Sequence, residues 1–398
     1  MTDGFRAVEV AERVFWVGAI DWGVRNFHGY LTSRGTTYNA FLVLGDRPAL
    51  IDTVKPPFFG EMLARIASVI DPEKIDVIVS NHAEMDHSGA LPRAIERLRP
   101  SAVYASPAGR EALEAHFHLG HPIEAVKTGD ALDLGGATLR FVEARMLHWP
   151  DSMFSHLVEG GVLFSNDAFG MHLATSERFA DELPRDLLLA EAAKYYANIL
   201  MPLAPILRGF LDKVPGLGLD IRTIAPDHGP IWRRDPGWIV ERWAEWARIE
   251  PTRKAVVVYD TMWGSTAAMA RAIGDGLAAG GAKVALLPLD AAHRSDVATE
   301  MLGAGALVVG SPTMNNQIFP GVADAMTYLE GLRPKGLVGA AFGSYGWSGE
   351  AVAQLEERLA RMKVELVAEG VKVKYVPTGA QLEQCRALGL AVAERLPR

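Results

Sequence analysis

The sequence predicts a two-domain α/β protein in which a strand-rich first domain precedes a doubly wound parallel sheet. Short apolar strands such as "IDVIVS", "LRFVEA" and "GVLFSN" dominate the first 250 residues, with helices between some of them. Beyond that point strand, loop and helix alternate, and "KAVVVY" is apolar throughout, as in a strand buried on both faces. We therefore expect domains at residues 1–250 and 251–398.

The overall composition is that of a soluble globular protein and argues against several functional classes. The formal charge of −8 disfavours nucleic acid or an anionic membrane as the main partner. The N-terminal stretch "MTDGFRAVEV" lacks the apolar run of a signal peptide, and no apolar stretch is long enough to span a bilayer. The single cysteine, Cys385, rules out an intrachain disulfide and a cysteine-ligated iron–sulfur cluster. A cytoplasmic setting is expected.

A cluster of metal-ligand residue types follows the apolar run "IDVIVS". His82, Glu84, Asp86 and His87 fall within the six residues "HAEMDH". Without a cation, carboxylates crowded together in this way would repel one another and lose hydration. The stretch therefore indicates a metal site.

Three further candidate ligands also follow predicted strands. They are His148 after "LRFVEARML", Asp167 after "GVLFSN" and His228 after "IRTIAP". Seven ligands suit two metal ions better than one, with Asp167 as the natural bridge between them. Four imidazoles and three carboxylates without a thiolate favour iron or manganese and do not exclude zinc.

The pattern His-x-Glu-x-Asp-His, with the later His, Asp and His, resembles that of the metallo-β-lactamase fold. Glu84 stands where the zinc hydrolases have a second histidine, and "HAEMDH" is in this respect similar to the flavodiiron proteins, also called A-type flavoproteins. The stretches "LHWPDSMF", "NDAFG" and "KYYANILMP" resemble the same family. The resemblance implies an αββα metallo-β-lactamase-like sandwich followed by a flavodoxin-like domain.

The same resemblance implies a ligand set for two iron ions. His82, Glu84 and His148 would bind one iron. Asp86, His87 and His228 would bind the other, with Asp167 bridging, although His87 does not ligate iron in every family member. His28, Tyr195 and Tyr196 are candidates for catalytic groups beside the irons, with a structural role as the alternative for each.

Three loops of the second domain are predicted to bind FMN. "TMWGST" follows a strand, opens a helix and lacks the lysine of a nucleoside triphosphate loop, which makes it similar to the phosphate loop of flavodoxins. Two later strands end in "GSPTMNNQIFP" and "GSYGWSGEA", where such a fold places its ring-binding loops. Trp263, Tyr345 and Trp347 are the alternatives for stacking on the flavin. The predicted FMN-binding residues are Thr261, Met262, Trp263, Gly264, Ser265, Thr266, Pro312, Thr313, Met314, Asn315, Asn316, Ser344, Tyr345, Gly346, Trp347 and Ser348.

The resemblance implies a terminal reductase that converts O2 to water, NO to N2O, or both. Electrons would enter through FMN from a separate donor of the rubredoxin or flavin reductase type. A head-to-tail homodimer, or a dimer of such dimers, would bring the flavin of one chain to the irons of the other. Two alternatives are a di-zinc hydrolase with a regulatory flavodoxin domain and a gas or redox sensor.

Overall fold

The computed structural model describes residues 4–397, which divide into two compact units. The first unit extends to Tyr195 and resumes for Pro205–Ala244, and the second contains Tyr196–Ala204 and the chain from Glu245 onward. The segment Tyr196–Ala204 thus packs with residues that follow it by more than forty positions, so a single cut in the sequence does not separate the two units. The boundary expected at residue 250 stays a prediction.

The first unit is built from short strands and seven α-helices within the described residues, with short 3-10 turns between some of them. Its strands are β1 Val8–Ala11, β2 Val14–Trp16, β3 Ala19–Asp21, β4 Asn26–Phe27, β5 Tyr30–Leu31, β6 Thr36–Tyr38, β7 Phe41–Val43, β8 Ala49–Ile51, β9 Val77–Ser80, β10 Ala102–Ala105, β11 Ile123–Ala125, β12 Ala131–Asp133, β13 Thr138–Glu143, β14 Met153–Leu157, β15 Val162–Phe164 and β16 Thr223–Ala225. The helices are α1 Phe59–Ala67, α2 Met85–Ser88, α3 Leu91–Leu98, α4 Pro107–Phe117, α5 Arg185–Tyr195, α6 Ala204–Leu211 and α7 Gly237–Ala247.

Two β-sheets face each other across the apolar core of this unit. One has the strand order β1-β2-β7-β8-β9-β10-β11 and the other the order β12-β13-β14-β15-β16. Phe41 of the first sheet and Phe164 of the second meet in that core. Helices α1, α3 and α4 cover the outer face of the first sheet, while Phe210 of α6 and Val240 of α7 lie against the second. The predicted αββα sandwich is confirmed.

The second unit alternates strands and helices. Its elements are β17 Lys254–Tyr259, α8 Ser265–Ala279, β18 Lys283–Pro288, α9 Arg294–Glu300, β19 Ala304–Gly310, β20 Thr313–Met314, β21 Gln317–Ile318, α10 Pro320–Leu332, β22 Val338–Tyr345, α11 Ala351–Arg361, β23 Glu365–Leu366, β24 Val371–Lys374 and α12 Gly379–Glu394. The main sheet is parallel, in the order β18-β17-β19-β22-β23, and β24 also pairs with β22. This is the flavodoxin-like strand order.

Helices cover both faces of the parallel sheet. Helices α8 and α12 pack on one face around Val257 and Phe342, while α9, α10 and α11 pack on the other around Val256 and Leu307. Burial of both faces explains why "AVVVY" carries no polar residue. Across residues 4–397, no helix combines the length and the apolar character needed to cross a bilayer.

Candidate metal centre and flavin-binding loops

All seven predicted metal ligands converge at one site of the first unit. Strand β9 leads to His82 and Glu84, and the single-turn helix α2 carries Asp86 and His87. The loop after β13 supplies His148, and the segments after β15 and β16 supply Asp167 and His228. Segments that are far apart in the sequence therefore deliver their polar side chains to one place, as expected of strand ends on an α/β scaffold.

Four of these side chains form a first ligand group, whose donor atoms lie within 4.8 Å of one another: His82, Glu84, His148 and Asp167. Oδ2 of Asp167 lies 2.9 Å from Nε2 of His148 and 3.5 Å from Nε2 of His82. Oε2 of Glu84 lies 3.3 Å and 3.4 Å from the same two nitrogen atoms. Two carboxylates and two imidazoles thus point at a common centre.

Asp86, His87 and His228 form a second ligand group of the same kind. Oδ2 of Asp86 lies 3.2 Å from Nε2 of each histidine. Oδ1 of Asp167 approaches these nitrogen atoms too, at 3.1 Å from His87 and 3.5 Å from His228. The two oxygens of Asp167 therefore face different groups, which is the arrangement required of a bridging ligand.

The chemistry of this cluster fits a pair of metal cations. Among the described residues, no hydrogen bond engages Nε2 of His82 or His87, either carboxylate oxygen of Asp86, or Oδ1 of Asp167, although all are buried. Buried polar atoms without partners are costly, and a cation between them removes that cost. Imidazole and carboxylate donors without thiolate are suited to non-haem iron.

The pKa values of the buried carboxyl groups in the cluster are lowered, so these groups carry negative charge. Burial alone raises the pKa of Glu84, but the nearby imidazoles of His148 and His82 outweigh it and lower that pKa to about 2. Burial also raises the pKa of Asp167. The imidazoles of His87 and His228 outweigh burial and hold that pKa well below the usual range. Carboxylates that stay ionised while buried are typical of a cation-binding site.

Strained backbone flanks two of the ligands. Asn166, immediately before Asp167, has φ = 44°, and Met146, two residues before His148, has φ = 63°. Residues other than glycine adopt this left-handed region at a cost, and such residues concentrate at functional sites. The side chain of Asn166 donates to the Met153 carbonyl oxygen, which helps to hold the loop in place.

Three loops converge at the carboxyl ends of the parallel strands in the second unit. Gly264, with φ = 87°, precedes the N-terminus of α8, whose first amide groups make an anion-binding position. The buried hydroxyl of Thr266 lies 2.8 Å from that of Ser344, and Ser348 donates to the side-chain oxygen of Asn316. The structure therefore brings the predicted phosphate loop and both predicted ring loops together.

The aromatic side chains of these loops are unusually exposed. Trp263 is 95% exposed and Trp347 is 82% exposed, whereas Tyr345 is partly buried. Large exposed aromatic groups around a cradle of hydroxyl and glycine residues suit a planar aromatic ligand that carries a phosphate.

Comparison with known proteins identifies the architecture and the family. Residues 36–229 match the ODP family of β-lactamases, and residues 257–389 match flavodoxin. The chain is 49% identical to a nitric oxide reductase of Moorella thermoacetica and 45% identical to a rubredoxin-oxygen oxidoreductase of Megalodesulfovibrio gigas, with 98% of each chain covered in both cases. The chain belongs to the flavodiiron family.

Solved structures of flavodiiron proteins match over nearly the whole chain. The rubredoxin oxygen:oxidoreductase of Desulfovibrio gigas superposes with a TM-score of 0.95 at 45% identity, covering 98% of both chains. A flavodiiron protein of Giardia intestinalis gives 0.94 at 34% identity, covering 98% of this chain and 96% of the other. The protein is thus a two-domain oxidoreductase. The cofactors of its family are FMN and a non-haem di-iron centre, and the chain has a flavodoxin domain and a carboxylate–imidazole cluster to match.

The candidate catalytic groups are placed differently from one another in this flavodiiron protein. The largely exposed His28 turns Nε2 to within 3.3 Å of Oε1 of Glu84. Tyr195 is buried, with its ring 6.2 Å from that of His228. Tyr196 belongs to the second unit, where its ring lies 5.3 Å from that of Trp246. The structure groups His28 and Tyr195, but not Tyr196, with the metal ligands.

Sequence reasoning missed three residues that contact the ligands. Asp151 lies 2.9 Å from Nδ1 of His82, and the carbonyl oxygen of Thr37 lies 2.6 Å from Nδ1 of His228. His172 is buried with its ring 4.6 Å from that of His228. Asp151 could have been found from its place in "LHWPDS", whereas Thr37 and His172 give no signal in the sequence.

A cavity of about 480 Å³ opens beside the cluster in the first unit. It is lined by Asn26, Phe27, His28, Lys55, Pro56, Glu84, Met85, Asp86, His116 and Trp149. Its apolar walls and the two candidate ligands Glu84 and Asp86 suit a small uncharged molecule.

Proposed function

We propose that this protein is a terminal reductase that converts O2 to water, NO to N2O, or both. The observation that carries the proposal is the carboxylate of Asp167, whose two oxygens face two separate ligand groups in a chain that also has a flavodoxin domain. His82, Glu84 and His148 would hold one iron, and Asp86, His87 and His228 the other. Asp167 would bridge them.

The cofactors supply the electrons and the protein supplies position and protons. When bound, the two ferrous ions and reduced FMN together provide the four electrons that reduction of O2 to water consumes. The cavity walls admit the gas beside Glu84 and Asp86. Burial raises the pKa of Tyr195 well above its usual value, and the carboxylates of Asp167 and Glu84 reinforce that effect. We propose this phenol as a proton source because its ring lies 6.2 Å from that of His228, although the raised pKa makes it a weaker acid than a free tyrosine.

His28 is the second proposed proton carrier. Its position at the cavity wall, 3.3 Å from Glu84, lets it exchange protons with solvent on one side and serve the site on the other. Tyr196 was the third candidate. Its packing against Trp246 favours a structural role, and Tyr195 is the tyrosine that we assign to the reaction.

FMN is proposed to bind across the three converging loops of the second domain. Backbone amides and hydroxyls of Thr261–Thr266 would hold the phosphate. Residues 312–316 and 344–348 would contact the ring system, with Trp263, Tyr345 and Trp347 as candidates for stacking. The hydrogen bond between Thr266 and Ser344 and the one from Ser348 to Asn316 support this assignment, because they join the loops into one cradle.

Electrons are proposed to come from a separate cytoplasmic donor, a rubredoxin or a flavin reductase. A single cysteine cannot build the four-thiolate site of a rubredoxin within this chain. The flavorubredoxin of Aeromonas hydrophila, 38% identical, is longer, and the match covers 80% of it.

We further propose a head-to-tail homodimer, or a dimer of such dimers, that brings FMN of one chain to the irons of another. Each unit exposes large apolar side chains next to its proposed cofactor site. Trp263 and Trp347 do so in the second unit, and Met85, 49% exposed, does so at the cavity of the first. Exposed apolar patches of this kind favour self-association.

Amperometric assays with O2 and with NO test the function. Protein loaded with iron and FMN should consume at least one gas when reduced rubredoxin or a flavin reductase with NADH is supplied, and NADH alone should give no turnover. The ratio of the two rates establishes the preferred gas. Phosphodiesterase activity in a zinc-loaded protein, with no gas consumption, would instead establish the hydrolase alternative, which the oxidoreductase relatives do not favour.

A further inference from the structure

Three of the four histidines in the metal cluster have an oxygen atom next to the ring nitrogen that points away from the cluster. For His82 that oxygen belongs to Asp151, and for His228 it is the main-chain carbonyl of Thr37. A carbonyl oxygen only accepts, so Nδ1 of His228 carries the hydrogen and Nε2 is left to bind the metal. Such outer partners fix the tautomer and ring orientation of metal-binding histidines.

His87 has the corresponding oxygen in Asp227. Its Nε2 faces Asp86 and Asp167, and its Nδ1 lies 3.5 Å from Oδ2 of Asp227. Both side chains are fully buried. Within residues 4–397, no group meets hydrogen-bond geometry with either oxygen of Asp227 or either ring nitrogen of His87, and this includes their own contact at 3.5 Å. The carboxylate of Asp227 therefore lies at the outward nitrogen of His87, slightly beyond the length of a formed hydrogen bond.

Hydrogen bonds to its backbone hold Asp227 in place, and its carboxylate makes no other hydrogen bond that would turn it away from His87. The backbone amide of Asp227 donates to the Asn166 carbonyl oxygen, and its own carbonyl oxygen accepts from the amide of Asn39. The neighbouring buried carboxylate, Asp52, is engaged by Asn81, which donates to it from its main-chain amide at 2.7 Å and from its side chain at 2.9 Å. Asp52 therefore does not compete for Nδ1 of His87.

We propose that Asp227 is a positioning residue that accepts the Nδ1–H of His87 and thereby commits Nε2 of His87 to the second metal. The proposal rests on the ligand role proposed above for His87. The proposal explains why His87 would bind iron in this chain. If the ring turned so that Nε2 left the metal, Nδ1 would move away from Asp227 and leave that buried carboxylate without a partner.

A direct ligand role for Asp227 is the competing explanation. One donor atom each from His87, Asp167 and Asp227 also lies within 4.8 Å of the others. The two explanations differ in one respect. A residue that acts through His87 has no effect once His87 is gone, whereas an independent ligand keeps its effect.

The experiment is a double-mutant cycle read out by iron retention. Loaded wild type, His87→Ala, Asp227→Ala and the double variant are mixed with a ferrous chelator, and the apparent iron affinity is measured together with Mössbauer spectra. We expect Asp227→Ala to lower the affinity of one iron by about 10- to 100-fold. We expect the double variant to match His87→Ala alone, and Asp227→Asn, which keeps an acceptor oxygen, to lose less than Asp227→Ala.

Each other outcome has a definite meaning. Unchanged iron retention in Asp227→Ala, or additive losses in the double variant, overturns the positioning role. Unchanged retention in His87→Ala overturns the ligand assignment of His87 and leaves the remaining proposed function intact. FMN content and the circular dichroism spectrum monitor folding. If Asp227→Ala does not fold, the cycle is run with Asp227→Asn instead. Any fall in iron affinity caused by Asp227→Asn must then vanish when His87 is already replaced by alanine.

Discussion

Nε2 of His148 lies 2.9 Å from Oδ2 of Asp167, and the other oxygen of that carboxylate lies on the side of the second ligand group. One side chain, at 2% exposure, therefore joins the two halves of the metal centre. A single carboxylate in this position makes the two metal sites interdependent, and the first prediction follows from that dependence.

Replacing Asp167 by asparagine should empty both iron sites. The amide has one acceptor oxygen and no charge, so it cannot bridge two cations. We expect iron per chain to fall from about two to well under one, with FMN content unchanged. Iron and flavin analysis measures both, and Asp212→Asn, an exposed charge-to-amide change in the same unit, is the control. Loss of a single iron would show that Asp167 is not the bridge.

Glu84→His should impair the iron centre by recreating the ligand type of the zinc hydrolases. The change removes a carboxylate whose Oε2 lies 3.3 Å from His148, and it lowers the negative charge that the cluster offers to iron. We expect a lower iron-to-zinc ratio in protein expressed with both metals and slower gas consumption. Turnover equal to the wild type would show that Glu84 is not an iron ligand.

Tyr195→Phe should slow turnover without displacing the metals. The phenol beside His228 is the proposed proton source, so its removal eliminates that donor. A fall in kcat on the order of 10²-fold, with KM and iron content little changed, is expected. Tyr196→Phe is the matched variant and should have a much smaller effect, since its ring lies against Trp246. Equal losses in the two variants would contradict the assignment.

Thr266→Val should weaken FMN binding while leaving iron in place. The valine has nearly the same shape but removes the hydroxyl that lies 2.8 Å from Ser344 between two of the loops. We expect the FMN dissociation constant to rise by about tenfold, equivalent to about 1.4 kcal/mol. Flavin fluorescence titration of the apoprotein measures it, and Thr327→Val, which removes a hydroxyl bonded within α10, is the control. Unchanged affinity would place the flavin elsewhere.

Electron transfer between chains should be visible by complementation. Asp167→Asn retains FMN and lacks iron, so it is co-expressed with a variant that retains iron and does not bind FMN. In random head-to-tail dimers, about a quarter of the wild-type sites regain both cofactors, and activity should recover to that level. No recovery would mean that FMN and irons of the same chain exchange electrons.

Much of the metal centre could be predicted because its ligands follow strands. Strand ends are recognisable by their apolar run, so His82, Asp167 and His228 could be grouped as ligand types that each follow a strand. The parallel neighbours β15 and β16 bring Asp167 and His228 to one edge, whereas His82 follows β9 of the other sheet. The flavin loops were predictable for the same reason. The family resemblance added the division of the ligands between two irons, which spacing alone left open.

The contacts behind the ligands could not be predicted. Thr37 reaches His228, and Thr36 reaches His172 at 2.9 Å, across most of the first domain, and no periodic pattern links such positions. These pairs depend on where the small two-stranded sheet of β3 and β6 lies relative to the loops that carry His172 and His228. The placement of Tyr196 is similar. Two adjacent tyrosines look equivalent in the sequence, but the π-helical turn that begins at Tyr196 sends the two rings to different units.

The central claim is that this chain holds a di-iron centre and a flavin for reductive chemistry. Elemental and flavin analysis of the protein, purified without added metal from cells supplied with both iron and zinc, tests it most directly. We expect about two iron ions and one FMN per chain, with little zinc. Zinc in place of iron, or a protein that retains no flavin, would contradict it.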